Sequence, residues 1–402
     1  MLEFIECGFL RTFLLNPVIT FNTIGYGYKH PVIGCKNRET LKTITREDSE
    51  FLAMVRAVSI GVIVLGHVGG FWFFRPYSEF LHVVVPVFFF ISGVFAYASY
   101  SKSSSATTYY GKRIPQLLIP YYMLCVLSLL VYVVQHDAFP NILQRELIHW
   151  LDMTPSNDIM PFPIGQVWFL HTLTIITFIS PLYFVLFKIS RLLFLIILFV
   201  LIFISGMEDA LNIIDMFNIN IKYVYLPLIH SVFYMLGIMY CASGVLSRKN
   251  IVAVCICSLI ISILSVYVFK LDIDFGNHIN APDLYYISGS ILTISILLLS
   301  KKIILSMLNR ISLLRHAWRF AYRHTFSIFL LHTFAIYISE VIFGLTNPQQ
   351  KTIGYGLTKF ACVACLTIII SPPFSWLATS TTQALQKLLN TKSTSPSLET
   401  AR

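Results

Sequence analysis

The stretch FLAMVRAVSIGVIVLGHVGGFWFF, residues 51–74, decides the fold. A helix that crosses a bilayer needs about 20 mostly apolar residues, and this run is long enough. Its only ionisable side chains are Arg56 and His67. The run is continuously apolar rather than alternating, which favours a helix over a strand of a membrane barrel.

Nine further runs of this kind follow. With the first, the spans are predicted near 53–74, 81–100, 114–136, 163–187, 191–207, 222–242, 251–270, 284–300, 325–345 and 353–379. The whole chain agrees: of 402 residues, 56% are apolar, 15% aromatic and 12% charged. An ordinary soluble domain carries about twice that share of charge. Disordered, collagen-like and typical soluble enzyme classes are thereby excluded. The predicted fold is an all-α integral membrane protein, a bundle of about ten transmembrane helices.

The formal charge of +10 does not point to nucleic acid, because the cations lie between apolar runs. Their placement orients the bundle. With the N-terminus inside, inner segments collect Lys102, Lys112, Arg113, Lys188, Arg191, Arg248, Lys249 and the basic run from Lys301 to Arg323. Outer segments collect acids instead, among them Glu79, Asp152, Asp272, Asp274 and Asp283. Under the positive-inside rule both termini are predicted to be cytoplasmic. Residues 1–50 read as a cytoplasmic leader or N-terminal extension, 51–380 as the membrane domain, and 381–402, rich in Ser and Thr, as a flexible cytoplasmic tail. No secretory leader is legible, since Glu3 and Glu6 interrupt the start. Cys362-x-x-Cys365 and Cys255-x-Cys257 lack a second ligand pair nearby, so the cysteines read as buried, inert thiols and no metal site is expected.

Ionisable residues inside a span are costly and by default mark function. Arg56 and His67 are eleven positions apart, about three helical turns, so they project from one face roughly 16 Å apart along the axis. That geometry suits a ligand with anionic phosphates at one end and a reactive carbonyl at the other. Arg56 can hold a phosphate as a charged fork. His67, deeper, can stay neutral and accept a proton. A plain alternative has Arg56 as an interfacial anchor and His67 bonded to a neighbouring helix. Lys112 and Arg113 stand beside a helix start and could add phosphate contacts, or anchor the inner leaflet. Ser92 and Gly93 permit close helix packing.

Trp168 and His171 could stack on a sugar and bond its hydroxyl, or belong to an interfacial aromatic belt. His332 is a second membrane-buried imidazole, and His230 is assigned to packing. Glu79 and His82 read as solvated loop groups, with a proton relay to His67 as the alternative. Arg310, Arg315, Arg319 and Arg323 form a basic stripe, read as a helix lying on anionic lipid.

Taken in order, these residues resemble the membrane acyltransferase 3 family. Arg56 and His67 look like its Arg-x10-His signature. Pro86 to Gly93 resembles its second span, Lys112-Arg113 with Pro120 its basic third helix, Val167-Trp168-Phe169-Leu170 a later span start, Asn280-Ala281-Pro282 a small segment before a late span, and Ser327-x4-His332 its C-terminal pattern. The chain departs from the pattern at Ala53, where many members carry an acid, and at Gln116, where many carry a second arginine.

The resemblance implies transfer of an acyl group, usually acetyl, from cytoplasmic acyl-coenzyme A to a sugar hydroxyl on the outer side of a bacterial inner membrane. His67 would be the central catalytic residue and Arg56 a donor-binding or structural partner. Acetyl-CoA would be a donor substrate, with no permanently bound cofactor. The expected partners are acyl-CoA, a glycan or lipid-linked sugar, and membrane lipid. Export of a glycan or lipid-linked sugar is the alternative function.

Overall fold

The computed structural model describes residues 44–103, 105–136, 143–153, 166–208, 213–216, 219–242, 247–346 and 352–392. The leader up to residue 43, much of the expected outer loop 137–162 and the last ten residues of the tail lie outside them. The described residues are mostly helical, with no strand among them. The fold is an all-α membrane bundle.

In chain order the helices are α1 (Arg46–His67), α2 (Val84–Tyr100), α3 (Ala106–His136), α4 (Leu143–Leu151), α5 (Val167–Ile189), α6 (Arg191–Gly206), α7 (Ile213–Met216), α8 (Leu226–Ala242), α9 (Arg248–Tyr267), α10 (Leu284–Leu299), α11 (Lys301–Arg310), α12 (Ser312–Arg323), α13 (Thr325–Phe343) and α14 (Ile353–Lys392). Eight of the helical segments are long and apolar enough to cross a membrane, and α10 with α11, bent by 63°, makes a ninth. The fifth predicted run, 191–207, forms α6, which has only 16 residues.

The first span differs from expectation at both ends. It begins at Arg46 because Thr45 caps it, its hydroxyl accepting from the Asp48 amide at 3.0 Å. Asp48 is then buried, bonded by Lys301 at 2.7 Å and by the Tyr240 hydroxyl at 2.9 Å. The helix stops at His67. Gly69 takes a left-handed φ of +86°, and the chain continues as 3-10 turns, Gly70–Phe74 and Tyr77–Val83. Irregular backbone at membrane depth is tolerated only where protein covers it or where it lines a cavity. Phe71, Glu79 and Val83 in this segment are all buried.

The last helix runs on to Lys392, into the segment read as tail. Gln386 there donates to the carbonyls of Gly111 and Lys112 at 3.4 and 3.3 Å, which ties the extension to α3. Two cysteines, Cys257 and Cys365, are exposed on the bundle rather than buried.

The tightest crossing is α2 on α8. A Cβ placed on Gly93 would stand 2.1 Å from the Tyr234 carbonyl oxygen, and one on Gly237 would stand 2.1 Å from that of Phe90. Only glycine allows two backbones this close. This crossing sets α2 firmly beside α1, the helix that carries Arg56 and His67.

Candidate active site

α1 and α13 bring two imidazoles together. His67 Nδ1 lies 2.5 Å from His332 Nε2. The ring centroids are 4.8 Å apart and the planes differ by 10°. The N···N distance plus two ring radii accounts for the whole centroid separation. The rings therefore lie edge to edge in nearly one plane, the lone pair of one nitrogen aimed at the N–H of the other.

The rest of the environment fixes which nitrogen carries the proton. His332 Nδ1 faces the carbonyl oxygens of Phe329 and Ile328 at 2.7 and 3.2 Å. Carbonyls only accept, so His332 Nδ1 holds a hydrogen, and Nε2 of the neutral ring has the lone pair. His67 Nδ1 must then donate to it. That leaves the free lone pair of the pair on His67 Nε2, the atom a base or nucleophile needs.

His332 is fully buried, whereas His67 is exposed. Helical position explains the contrast. Leu52, Ile60 and Val64 share the face of His67 and are 1%, 1% and 4% exposed, while Val58 on the opposite face is 50% exposed. His67 therefore lies on the inward face with its ring accessible. His332 is seven residues into α13, about 10 Å from its start and about 16 Å from its end. The imidazole pair thus sits within the depth of the spans.

Arg56 is half-buried on the same inward face, three turns from His67. Its charge and that of Arg113 on α3 lie close enough to interact, as does the Tyr322 hydroxyl of α12. Among the described residues no carboxylate pairs with Arg56 or Arg113, and Arg113 Nε is buried without a hydrogen-bond partner. Two guanidiniums within electrostatic range of each other and without a carboxylate partner make a place for an anion. Lys112, next in sequence, is exposed.

The basic stripe of α12 does not simply lie on lipid. The helix packs along α1, buries Trp318, and pairs Arg319 with Glu50 at 3.5 Å. It closes one side of the Arg56 region.

The remaining sequence candidates are more dispersed. Trp168 is half-buried, its ring 5.7 Å from that of His230. His171 is buried, edge-on to Tyr223 at 4.9 Å. Ser92 is half-buried beside the packing glycine Gly93. His230 is fully buried, its nitrogens facing the Leu226 carbonyl at 2.8 Å and the Tyr286 hydroxyl at 3.2 Å, as a packing role requires.

Two features escape the sequence. Gln166, just before α5, donates to Thr333 at 2.8 Å, and both are buried. This pins the start of α5 to the residue next to His332. Glu79 is only 4% exposed, so it is not a solvated loop acid, and His82 Nδ1 lies 2.9 Å from its carboxylate. The 3-10 turn folds the two residues toward each other and covers the acid, which spacing in an irregular segment could not reveal.

No curated protein and no solved structure matches the chain. A family model described as an acyltransferase domain matches residues 50–376, a range that takes in the imidazole pair, both guanidiniums and all but the last turns of α14. With most of its length so matched, the chain belongs to the acyltransferase 3 family.

Proposed function

We propose that this acyltransferase moves an acetyl group from acetyl-CoA, entering from the cytoplasm, to a hydroxyl of a glycan on the outer side of a bacterial inner membrane. One observation carries the reading: an accessible imidazole, paired nitrogen to nitrogen with a second one, stands three turns along one helix face from Arg56, a guanidinium with no carboxylate partner among the described residues. The guanidiniums take the phosphates of the coenzyme, with Lys112 at the approach. The thin pantetheine arm spans the roughly 16 Å to His67.

Two chemistries use the His67 Nε2 lone pair. It can take the proton of the acceptor hydroxyl as that oxygen attacks the thioester. It can also attack the thioester itself and carry the acyl group. Both need the tautomer that His332 holds. Trp168 and His171, with Ser92, are assigned to the acceptor, where an aromatic face and an imidazole can meet a sugar ring and its hydroxyls.

The test is mass spectrometry of surface and lipid-linked glycans in a deletion strain complemented with wild type or His67→Ala. Loss of ester-linked acetyl from intact polymer, with normal protein in the membrane, is the expected result. Acetylation retained in His67→Ala would remove His67 from the mechanism. Loss of the polymer itself would indicate export.

A further inference from the structure

Beyond the His67–His332 pair, the segment that follows α1 holds a second imidazole built for a different task. His82 Nδ1 lies 2.9 Å from Glu79 Oε2 and 3.0 Å from the Glu79 carbonyl oxygen. Both are acceptors, so Nδ1 carries a hydrogen and Nε2 has the free lone pair. The Glu79 carboxylate is buried and held from behind. Arg75 Nε is 3.6 Å from it and 2.7 Å from Asp274, and Gly276 comes so close that a Cβ there would stand 2.8 Å from Glu79 Oε2. The His82 side chain keeps 28% of its surface exposed.

One aromatic ring links the two histidine-bearing segments. The Phe71 ring packs edge-on to His82 at 4.9 Å and also against Gly66, the residue before His67.

Their backing differs in kind. A carboxylate behind an imidazole fixes its tautomer and stabilises the imidazolium that forms when the ring takes a proton. His82 has that support, and His67 does not: its Nδ1 faces only a second neutral imidazole. His67 is arranged to shed its Nδ1 proton to His332 once Nε2 has formed a bond.

We propose that His82, backed by Glu79, is the base that takes the proton of the acceptor hydroxyl, while His67 carries the acyl group from donor to acceptor. This rests on the acyl-CoA reading above. In the first half-reaction the bond from the acyl carbon to His67 Nε2 forms and the C–S bond breaks. The sulfur leaves as thiolate, and the His67 Nδ1 proton moves to His332 Nε2. In the second, the acceptor oxygen gives its proton to His82 Nε2 and bonds the acyl carbon. The C–N bond then breaks, its electron pair returns to His67, and His332 returns the proton to His67 Nδ1. The thiolate takes a proton from the cytoplasm and His82 releases one to the outer side. Glu79 is a positioning residue, and Arg75 with Asp274 holds it.

The experiment uses the full chain in lipid nanodiscs with three readouts. The first is exchange of labelled CoA into acetyl-CoA without acceptor, which needs only the first half-reaction. The second is acetyl transfer to oxygen nucleophiles, water and methyl α-glucoside, which need a base. The third is transfer to hydroxylamine, which attacks as the neutral amine and needs none. His82→Gln and Glu79→Gln should keep exchange and hydroxylamine transfer within about threefold of wild type. His82→Gln should lose transfer to oxygen about 100-fold, the usual scale of a general base. His67→Ala should lose all three.

Oxygen transfer unchanged in His82→Gln, or hydroxylamine transfer lost as deeply as oxygen transfer, would overturn the base assignment. Wild-type transfer without any CoA exchange would overturn His67 as carrier. A wild type that neither exchanges nor consumes acetyl-CoA would instead overturn the donor reading.

Discussion

Replacing His332 by Phe tests the imidazole pair most directly. The ring is fully buried, and Phe fills a similar volume, so packing should survive. The carbonyls of Ile328 and Phe329 lie within α13 and keep their helical bonds. What disappears is the acceptor for His67 Nδ1–H, 2.5 Å away. A hydrogen bond is worth about 4–6 kcal/mol in an apolar medium but only about 0.5–1.5 kcal/mol net where water replaces the partner. His67 is exposed and His332 lies in dry core, so a loss between these limits, near 3 kcal/mol, is expected. That corresponds to about a 100-fold fall in kcat. The donor KM should hardly change, because Arg56 and Arg113 are untouched. His332→Gln, whose side-chain carbonyl can accept the same hydrogen, should recover part of the rate. The assay is steady-state acetyl-CoA consumption by purified protein, with thermal unfolding as the control for folding. Activity equal to wild type in His332→Phe, beside an inactive His67→Ala, would refute the tautomer argument.

Arg56→Ala should raise the donor KM tenfold or more with a smaller effect on the rate at saturation, and Arg56→Lys should fall between, since a point charge replaces a fork; an unaltered donor dependence would remove the phosphate role. Gly93→Ala should lower the unfolding temperature in detergent sharply, because the added methyl meets the Tyr234 carbonyl at 2.1 Å, whereas Gly61→Ala, with nothing within 4 Å, should be tolerated. Asp272, in the connection between α9 and α10, has its carboxyl held below the usual range by the Asp274 amide and the Asn277 side chain. A lowered value means that its stabilising contribution is complete at neutral pH and is lost as the solution falls below about pH 4. Asp272→Asn should therefore flatten the acid limb of a stability profile; an unchanged limb would place that sensitivity elsewhere.

Much of the architecture was legible because the bilayer imposes a length rule on apolar runs, and each of the ten predicted runs is helical. Helix ends were less legible. α1 is shifted toward the N-terminus, from an expected 53–74 to Arg46–His67. Hydropathy counts Gly70–Phe74 as membrane-compatible and cannot see that Gly69 turns the chain out of the helix. The last helix also runs past the boundary drawn at residue 380: Ser and Thr lower the helical expectation, but Gln386 finds partners on α3.

The sequence by itself determined that this is a helical membrane protein and that Arg56 and His67 share one face, since both follow from hydrophobicity and the 3.6-residue repeat, which are local. It also placed the chain's motifs in the order of its family. Only the tertiary structure decided that His332, from a helix far along the chain, meets His67 nitrogen to nitrogen, and that Glu79 is buried behind His82. Those pairings depend on how helices cross and on where α1 stops, and these are settled by packing between segments remote in sequence.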